Sequence, residues 1–333
     1  MIIPAVRWVG FLRATKSDAN TFLNRRIENN FSSGTRFGEG KTFFFLRSAS
    51  IWDEIALGCR QLWRCPMVVH VPLAGRDPLT PGAQPQADVA RLTARARELG
   101  AALASEPDLI ARVRLAAHHI PDRLAFSTSL GLEDQAVLHA VAHSGVPIDV
   151  FTLDTGRHFP ETLETLAASE HRYGLRIRVV FPQASEVESL VARDGIMGFR
   201  ASIENRKACC DIRKVRPLNR ALAGAGGWMT GLRRSQSSGR SDVPFAEADT
   251  GLALVKVNPI ADWSLRDVEN YIAAYNIPTN PLHARGFPSI GCQPCTRAIQ
   301  PGEDIRAGRW WWENEDGKEC GLHNRPRSAV KTS

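Results

Sequence analysis

Between Leu124 and Phe181 short apolar runs alternate with amphipathic ones, and this alternation restricts the fold more than any other feature of the chain. Leu124-Ala125-Phe126-Ser127-Thr128 reads as a short buried strand. The loop Ser129-Leu130-Gly131-Leu132 follows, and a helix opens at Glu133-Asp134 and runs to about His143. Pro147 to Leu153 reads as a second strand, Phe159 to about Tyr173 as a helix and Arg176 to Phe181 as a third strand. Strands separated by helices imply a parallel, doubly wound α/β sheet that holds ligands at its C-terminal strand ends. Further strands are expected at Trp228 to Gly231 and Ala253 to Val257, and two helices upstream, at Asp88 to Ser105 and Pro107 to His118.

The first 75 residues have a different texture. They hold half of the 14 Phe, including Phe43-Phe44-Phe45, and show neither helical nor strand periodicity. Ten Lys/Arg against five acids in this segment supply +5 of the net charge of +7, so the rest of the chain is nearly balanced. Global charge therefore gives little support for nucleic-acid binding. Arg7 interrupts the first apolar stretch and no small-residue cleavage pattern follows, which argues against a secretory signal. The basic charge allows a transit peptide, which the Phe and Trp content fits poorly. Residues 1–75 are expected to be a poorly ordered extension or a start-site overcall, joined by a Pro/Gly-rich linker from Pro72 to Gln86. Residues 76–323 form the expected domain and 324–333 a flexible tail. No apolar run approaches the roughly 18 residues of a membrane span, so the chain reads as soluble.

Seven cysteines, odd in number and clustered, argue for metal binding or catalysis in a reducing, cytoplasmic compartment rather than for a disulfide framework. Four fall in two groups, Cys209-Cys210 and Cys292/Cys295. One tetrahedral zinc ion is awkward for immediately adjacent thiolates, whereas a multi-iron cluster offers neighbouring thiolates separate irons, and the spacing favours the cluster. Lys214 would offset the negative charge of such a centre, or is an exposed helix lysine. Cys320, in Gly317-Lys318-Glu319-Cys320-Gly321-Leu322-His323, stands apart. Nearby cations lower a thiol pKa toward neutrality, and Lys318 and His323 are available for that, so Cys320 is either a candidate nucleophile or an incidental free thiol. Cys59 and Cys65 lie in the N-terminal segment and are assigned no role.

Three further features suit an anionic ligand. Ser127 to Asp134 joins a strand to a helix, so the hydroxyls of Ser127 and Ser129, the backbone at Gly131 and the helix N-terminus can surround an anion. It is neither a Walker A loop nor a dinucleotide fingerprint, and an ordinary capped turn would look the same. Asp154, in Leu153-Asp154-Thr155-Gly156-Arg157, could accept from a ribose hydroxyl or an adenine amine, or could simply form the turn. Arg233, Arg234 and Arg240 among Gly and Ser, and Arg306 and Arg309 beyond them, offer planar forks suited to oxyanions.

Taken in order, Cys209-Cys210-Asp-Ile-Arg-Lys-Val-Arg-Pro-Leu, Gly231-Leu-Arg-Arg-Ser-Gln-Ser, Gly291-Cys-Gln-Pro-Cys-Thr-Arg, Gly308-Arg-Trp-Trp-Trp-Glu and Lys318-Glu-Cys-Gly-Leu-His resemble the bacterial assimilatory adenylyl-sulfate reductases of the phosphoadenylyl-sulfate reductase family. The resemblance covers about residues 88 to 323; residues 1 to about 75 have no recognised counterpart. It implies an adenine nucleotide α-hydrolase-like fold, a [4Fe-4S] cluster on Cys209, Cys210, Cys292 and Cys295, and a catalytic Cys320 on a C-terminal tail. Cys320 would take the sulfo group from adenylyl sulfate, and reduced thioredoxin or a similar dithiol protein would release sulfite. Arg240, Arg306 and Arg309 match the family's substrate-contacting arginines, Lys214 its cluster-adjacent lysine and Ser127 to Asp134 its modified phosphate-binding loop.

Nucleic acid and membrane are not expected partners, and assembly into a homo-oligomer is left open. Three other readings compete: reduction of 3′-phosphoadenylyl sulfate, an ATP-dependent thiolase or pyrophosphatase on the same fold, and a non-catalytic iron–sulfur sensor that binds nucleic acid.

Overall fold

The computed structural model describes residues 85–236 and 240–313, together with two short strands near the N-terminus, β1 (Thr35–Phe37) and β2 (Lys41–Phe43). The chain divides at Leu79/Thr80 into two units. In the first, β1 and β2 pair antiparallel with Arg36 opposite Thr42. Strands of three residues are too short to show a period of two in sequence, which is why this segment reads as patternless.

The second unit contains a six-stranded sheet. Its strands are β3 (Leu124–Thr128), β4 (Asp149–Leu153), β5 (Arg178–Val180), β6 (Gly227–Met229), β7 (Ala246–Asp249) and β8 (Leu254–Val257). They lie in the order β5-β4-β3-β6-β8-β7, with all neighbours parallel except the edge pair β7/β8. Helices α1 (Pro85–Ser105), α2 (Leu109–His119), α3 (Leu132–Ser144), α4 (Pro160–Tyr173), α5 (Ala184–Asp194), α6 (Ile203–Cys210), α7 (Arg216–Leu222) and α8 (Leu265–Tyr275) surround it. The sequence pattern misses α5 to α8 and β7, although Ser264 and Asp267 form a full capping box at the start of α8.

Alternate strand residues feed two cores. Phe126, Val150, Met229 and Val255 pack with Leu99, Leu103, Val113 and Val137 from α1, α2 and α3. Ala125, Phe151, Trp228 and Leu254 pack with Leu218, Ala221 and Leu222 of α7. Burial on both faces is what makes the strands read as continuous apolar runs. Among the described residues no helix is long and apolar enough to cross a membrane.

A buried histidine of this shell titrates well below its usual range. His139 on α3 is 4% exposed, with its ring centroid 4.1 Å from that of His143 and 4.7 Å from that of Tyr275. Burial, then the charges of His143 and Arg172, push it from 6.5 down to about 4. The unfolded chain therefore takes up a proton near pH 6.5 that the folded chain refuses until about pH 4, so stability present above 6.5 drains away as the pH falls through that window. The urea midpoint is expected to fall between about pH 7 and about pH 4.5, and less so in His139→Phe. An equally steep fall in that variant would remove His139 as the cause.

Candidate active site

From β3 the chain proceeds outward through β4 to β5, then returns to β6 on the other side of β3. The loops leaving β3 and β6 therefore diverge, and a crevice opens between them at the C-terminal strand ends. A cleft of ≈ 250 Å³ lies there.

Its first wall is the loop after β3. Leu130 holds a left-handed φ of 62°, with its side chain buried beneath the loop, and Thr128 Oγ1 accepts its N–H at 3.0 Å. Extended Gly131 then caps α3, and its carbonyl accepts from Gln135 N–H at 2.9 Å. Ser129 donates from both its backbone N–H and its hydroxyl to Asp134 Oδ2, at 2.6 and 2.5 Å. The Ser127 hydroxyl accepts from Trp228 Nε1 at 2.7 Å.

Two acids in the first turn of α3 would spoil an anion site at the helix N-terminus if both were free and charged. Glu133 is held by Arg233, which donates from Nη2 at 2.7 Å and from Nε at 3.1 Å. Burial pushes Asp134 up to about 6, against the hydrogen bonds from Ser129 that pull it down. The charge of Glu133 is thus offset by Arg233 and that of Asp134 by the two donors of Ser129, with protonation of Asp134 setting in as the pH falls toward 6. Gly231, after β6, closes the wall: a Cβ there would lie 2.4 Å from Asp134 Oδ1.

A second wall comes from the segments around Gly291 and Arg309, and Lys214, Arg240, Arg306 and Arg309 all line the cleft. Arg309 is 7% exposed, donates to the Ile290 carbonyl at 3.1 Å and stacks at 4.8 Å on the ring of Trp310. Its guanidinium lies against the backbone of Gly291, where a Cβ would come within 2.3 Å of it. An antiparallel bridge between Thr296 and Arg309, and a bond from Trp310 N–H to the Cys295 carbonyl at 3.1 Å, tie this wall to the second cysteine pair.

The four cysteines Cys209, Cys210, Cys292 and Cys295 line one small cavity behind that wall. Cys209 and Cys210 end α6, where the helix widens into the π-turn Asp211–Val215; Cys292 and Cys295 flank a tight turn at Gln293–Cys295. The π-turn carries Arg213 and Lys214 to the same cavity. Arg213 is 6% exposed and donates to the Thr155 carbonyl at 2.6 Å, and its buried Nε has no hydrogen-bond partner among the described residues. Thr155 Oγ1 lies 3.3 Å from Cys292 Sγ. Burial, then the neighbouring Cys292, pushes the Cys295 thiol up to about 12, and burial raises Cys209 as well. These thiols stay protonated until a bound cation drives the protons off.

Four thiols around one cavity, with buried cationic groups to balance thiolate charge, fit a thiolate-ligated metal centre. No group of three or more His, Cys, Asp or Glu among the described residues converges on a single-ion position. Lys214, Cys292 and Trp310 line both the cavity and the cleft, so the two share a wall.

Several expected residues sit elsewhere. Arg233 does not line the cleft: it is 1% exposed and committed to Glu133 and Ser235, so it shields the loop rather than reaching a ligand. Arg234 donates to the Val243 carbonyl and stacks on Phe245, also away from the cleft. Asp154 accepts from Gly156 N–H at 2.7 Å and shapes the turn after β4. Cys320 lies outside the described residues. Sequence reasoning missed Thr155, Arg213 and Trp310; only the spacing of Arg213, four residues after Cys209 on a helix, could have revealed one of them.

A family model of the phosphoadenosine phosphosulfate reductase domain matches residues 123–298, more than half of the chain. The chain belongs to this family. The match takes in the cleft loop and all four cavity cysteines, while Arg306, Arg309 and Cys320 fall beyond it. An adenosine 5′-phosphosulfate reductase of Rhizobium meliloti is 50% identical over 216 residues, 65% of this chain and 81% of that protein. Another from Burkholderia cepacia is 53% identical over 61% of this chain and 81% of that protein. Among solved structures, a phosphoadenylyl-sulfate (PAPS) reductase from Candida auris in a phosphate complex superposes with a TM-score of 0.53, at 25% identity, over 61% of this chain and 96% of that one.

Proposed function

We propose that this family member reduces adenylyl sulfate to sulfite and AMP with electrons from thioredoxin or a similar dithiol protein, serving sulfate assimilation and cysteine biosynthesis. The observation that carries the reading is the wall formed by Lys214, Cys292 and Trp310, which sets a four-thiol cavity directly behind a cationic cleft at the sheet's switch point. The names of the relatives support the same substrate.

In the proposed reaction the Cys320 thiolate attacks the sulfate sulfur of adenylyl sulfate. An S–S bond forms, the bond from sulfur to the bridging oxygen breaks, and AMP leaves with that electron pair, leaving S-sulfocysteine. A thiolate of the dithiol protein then attacks Cys320 Sγ and expels sulfite, and its second thiol resolves the mixed disulfide. The dithiol loses two electrons and the sulfate sulfur gains them.

The chain's own groups make the first step feasible by holding charge. Phosphate and sulfate oxygens repel an incoming thiolate, and Arg240, Arg306, Arg309 and Lys214, which line the cleft, offset that charge. Ser127, whose hydroxyl keeps its own proton to donate, and the backbone at Gly131 receive the phosphate at the N-terminus of α3, while Ser129, bonded to Asp134, shapes the loop around it. Cys209, Cys210, Cys292 and Cys295 would hold a [4Fe-4S] cluster, which when bound supplies a cross-link between the two cysteine segments and an electrostatic boundary to the cleft. Free thiols in these roles fit a reducing cytoplasm, and residues 76–323 would carry the activity without the N-terminal extension.

The test is a side-by-side assay with adenylyl sulfate and its 3′-phosphorylated form, with mass spectrometry of protein mixed with each nucleotide in the absence of reductant. Faster sulfite release from adenylyl sulfate and one added SO₃ on Cys320 are expected. Equal turnover of both nucleotides would overturn the substrate assignment, and release of AMP without protein modification would overturn the mechanism.

A further inference from the structure

The segment that carries Cys320 leaves the described fold at Glu313, and Glu313 is anchored in an unusual way. Its carboxylate, 4% exposed, meets the guanidinium of Arg206, 1% exposed, through two parallel bonds: Nε to Oε1 at 2.9 Å and Nη2 to Oε2 at 2.8 Å. Burying both charges is costly, and the geometry that offsets the cost is this fork-to-fork arrangement. Such a pair fixes where the two chain segments meet, whatever it adds to stability.

What it fixes is the edge of the cleft. Arg206 stacks at 4.5 Å on the indole of Trp310, the same ring on which Arg309 stacks at 4.8 Å. Trp310 is 1% exposed and holds a left-handed φ of 44°, a strained conformation for a bulky residue that persists only where the surroundings enforce it. Its carbonyl accepts from Glu313 N–H at 2.9 Å, which closes the turn. The chain from the Cys295 carbonyl through Trp310 to Glu313 is therefore pinned at each step.

We propose that Arg206 and Glu313 are positioning residues for sulfo transfer: their ion pair sets the root of the Cys320 segment beside Trp310, at the wall that carries Arg309. The inference rests on the proposed role of Cys320. Cys320 follows Glu313 by seven residues, so its thiol stays within about 24 Å of the root at full extension. If the root frays back to the bridge at Arg309, which Cys320 follows by eleven residues, the volume open to the thiol grows roughly four-fold. The local concentration of nucleophile at the cleft falls in proportion, and any tilt of the segment costs more.

The experiment measures the single-turnover rate of SO₃ addition to Cys320, with full-length, metal-loaded protein and adenylyl sulfate. Three proteins are compared: the unaltered chain, Glu313→Gln, and a chain with Gly-Ser-Gly-Ser inserted directly after Glu313, which leaves the ion pair in place and lengthens the tether. Both changes are expected to slow the addition four-fold or more with iron content unchanged, the insertion with AMP affinity unchanged and Glu313→Gln with AMP affinity lowered far less than the rate. An unchanged rate in Glu313→Gln would overturn the proposal. So would a slowed Glu313→Gln beside an insertion variant that reacts at full rate, or a loss of AMP affinity that parallels the loss of rate, since either means the pair serves the fold or the cleft. If the unaltered chain itself acquires no SO₃ on Cys320, it is the proposed function that fails.

Discussion

Cys320→Ser is expected to abolish sulfite release, by at least about 10³-fold, while AMP binding stays within about two-fold of the unaltered chain. A serine hydroxyl is a far weaker nucleophile than a thiolate near neutral pH, and the S-sulfo intermediate that a dithiol can cleave needs a sulfur atom at this position. The cleft that holds the nucleotide is built from other residues and keeps its geometry. Two of the four described cysteines are poorly suited to take over: burial pushes the Cys295 thiol up to about 12 and raises Cys209 as well, so both are held protonated near neutral pH. The check is sulfite release with reduced thioredoxin, together with mass spectrometry of the variant mixed with adenylyl sulfate alone. Sulfite release at a tenth of the original rate, or an SO₃ adduct on Cys209 or Cys292, would show that the nucleophile lies elsewhere.

The sequence exposes the parts of this molecule whose chemistry is local. β3, β4 and their helices are legible because strands covered on both faces must be apolar throughout, as Leu124 to Phe126 and Val150 to Phe151 are. β7 is an edge strand, Ala-Glu-Ala-Asp, with no apolar run to announce it; α6 is polar and ends at the cysteine cavity, and α7, seven residues long, is too short to show a helical period before Leu218, Ala221 and Leu222 meet the sheet. The adjacency of Cys209 and Cys210 is visible at once, whereas Thr155 reaches Cys292 only because β4 ends beside that cavity. Arg233 shows the limit most clearly. In sequence it is one of several arginines set among small residues, and nothing local separates a guanidinium that faces an oxyanion from one that holds Glu133.

Cys295→Ser is expected to yield protein without bound iron or sulfide, without visible iron–sulfur absorption, and with a melting temperature lowered by several degrees. Cys210, Cys292 and Cys295 are each at most 9% exposed, so the thiols form the inner surface of the cavity rather than a surface cluster. Metal held there joins the end of α6 to the turn at Gln293–Cys295, two segments distant in sequence, and its binding free energy is added to that of folding. With one ligand gone that cross-link is lost, and a hydroxyl replaces a thiol in a pocket walled by Phe199 and Trp310. For a domain of this size each kcal/mol lost lowers the melting temperature by about 2–4 °C. The effect reaches the substrate side because Trp310, whose N–H is held by the Cys295 carbonyl, also carries Arg309. Affinity for AMP should therefore fall in Cys295→Ser, unlike in Cys320→Ser. Metal and sulfide analysis of the unaltered protein separates the two centres that four thiols can hold: iron with inorganic sulfide supports the cluster, and one zinc per chain without sulfide would refute it.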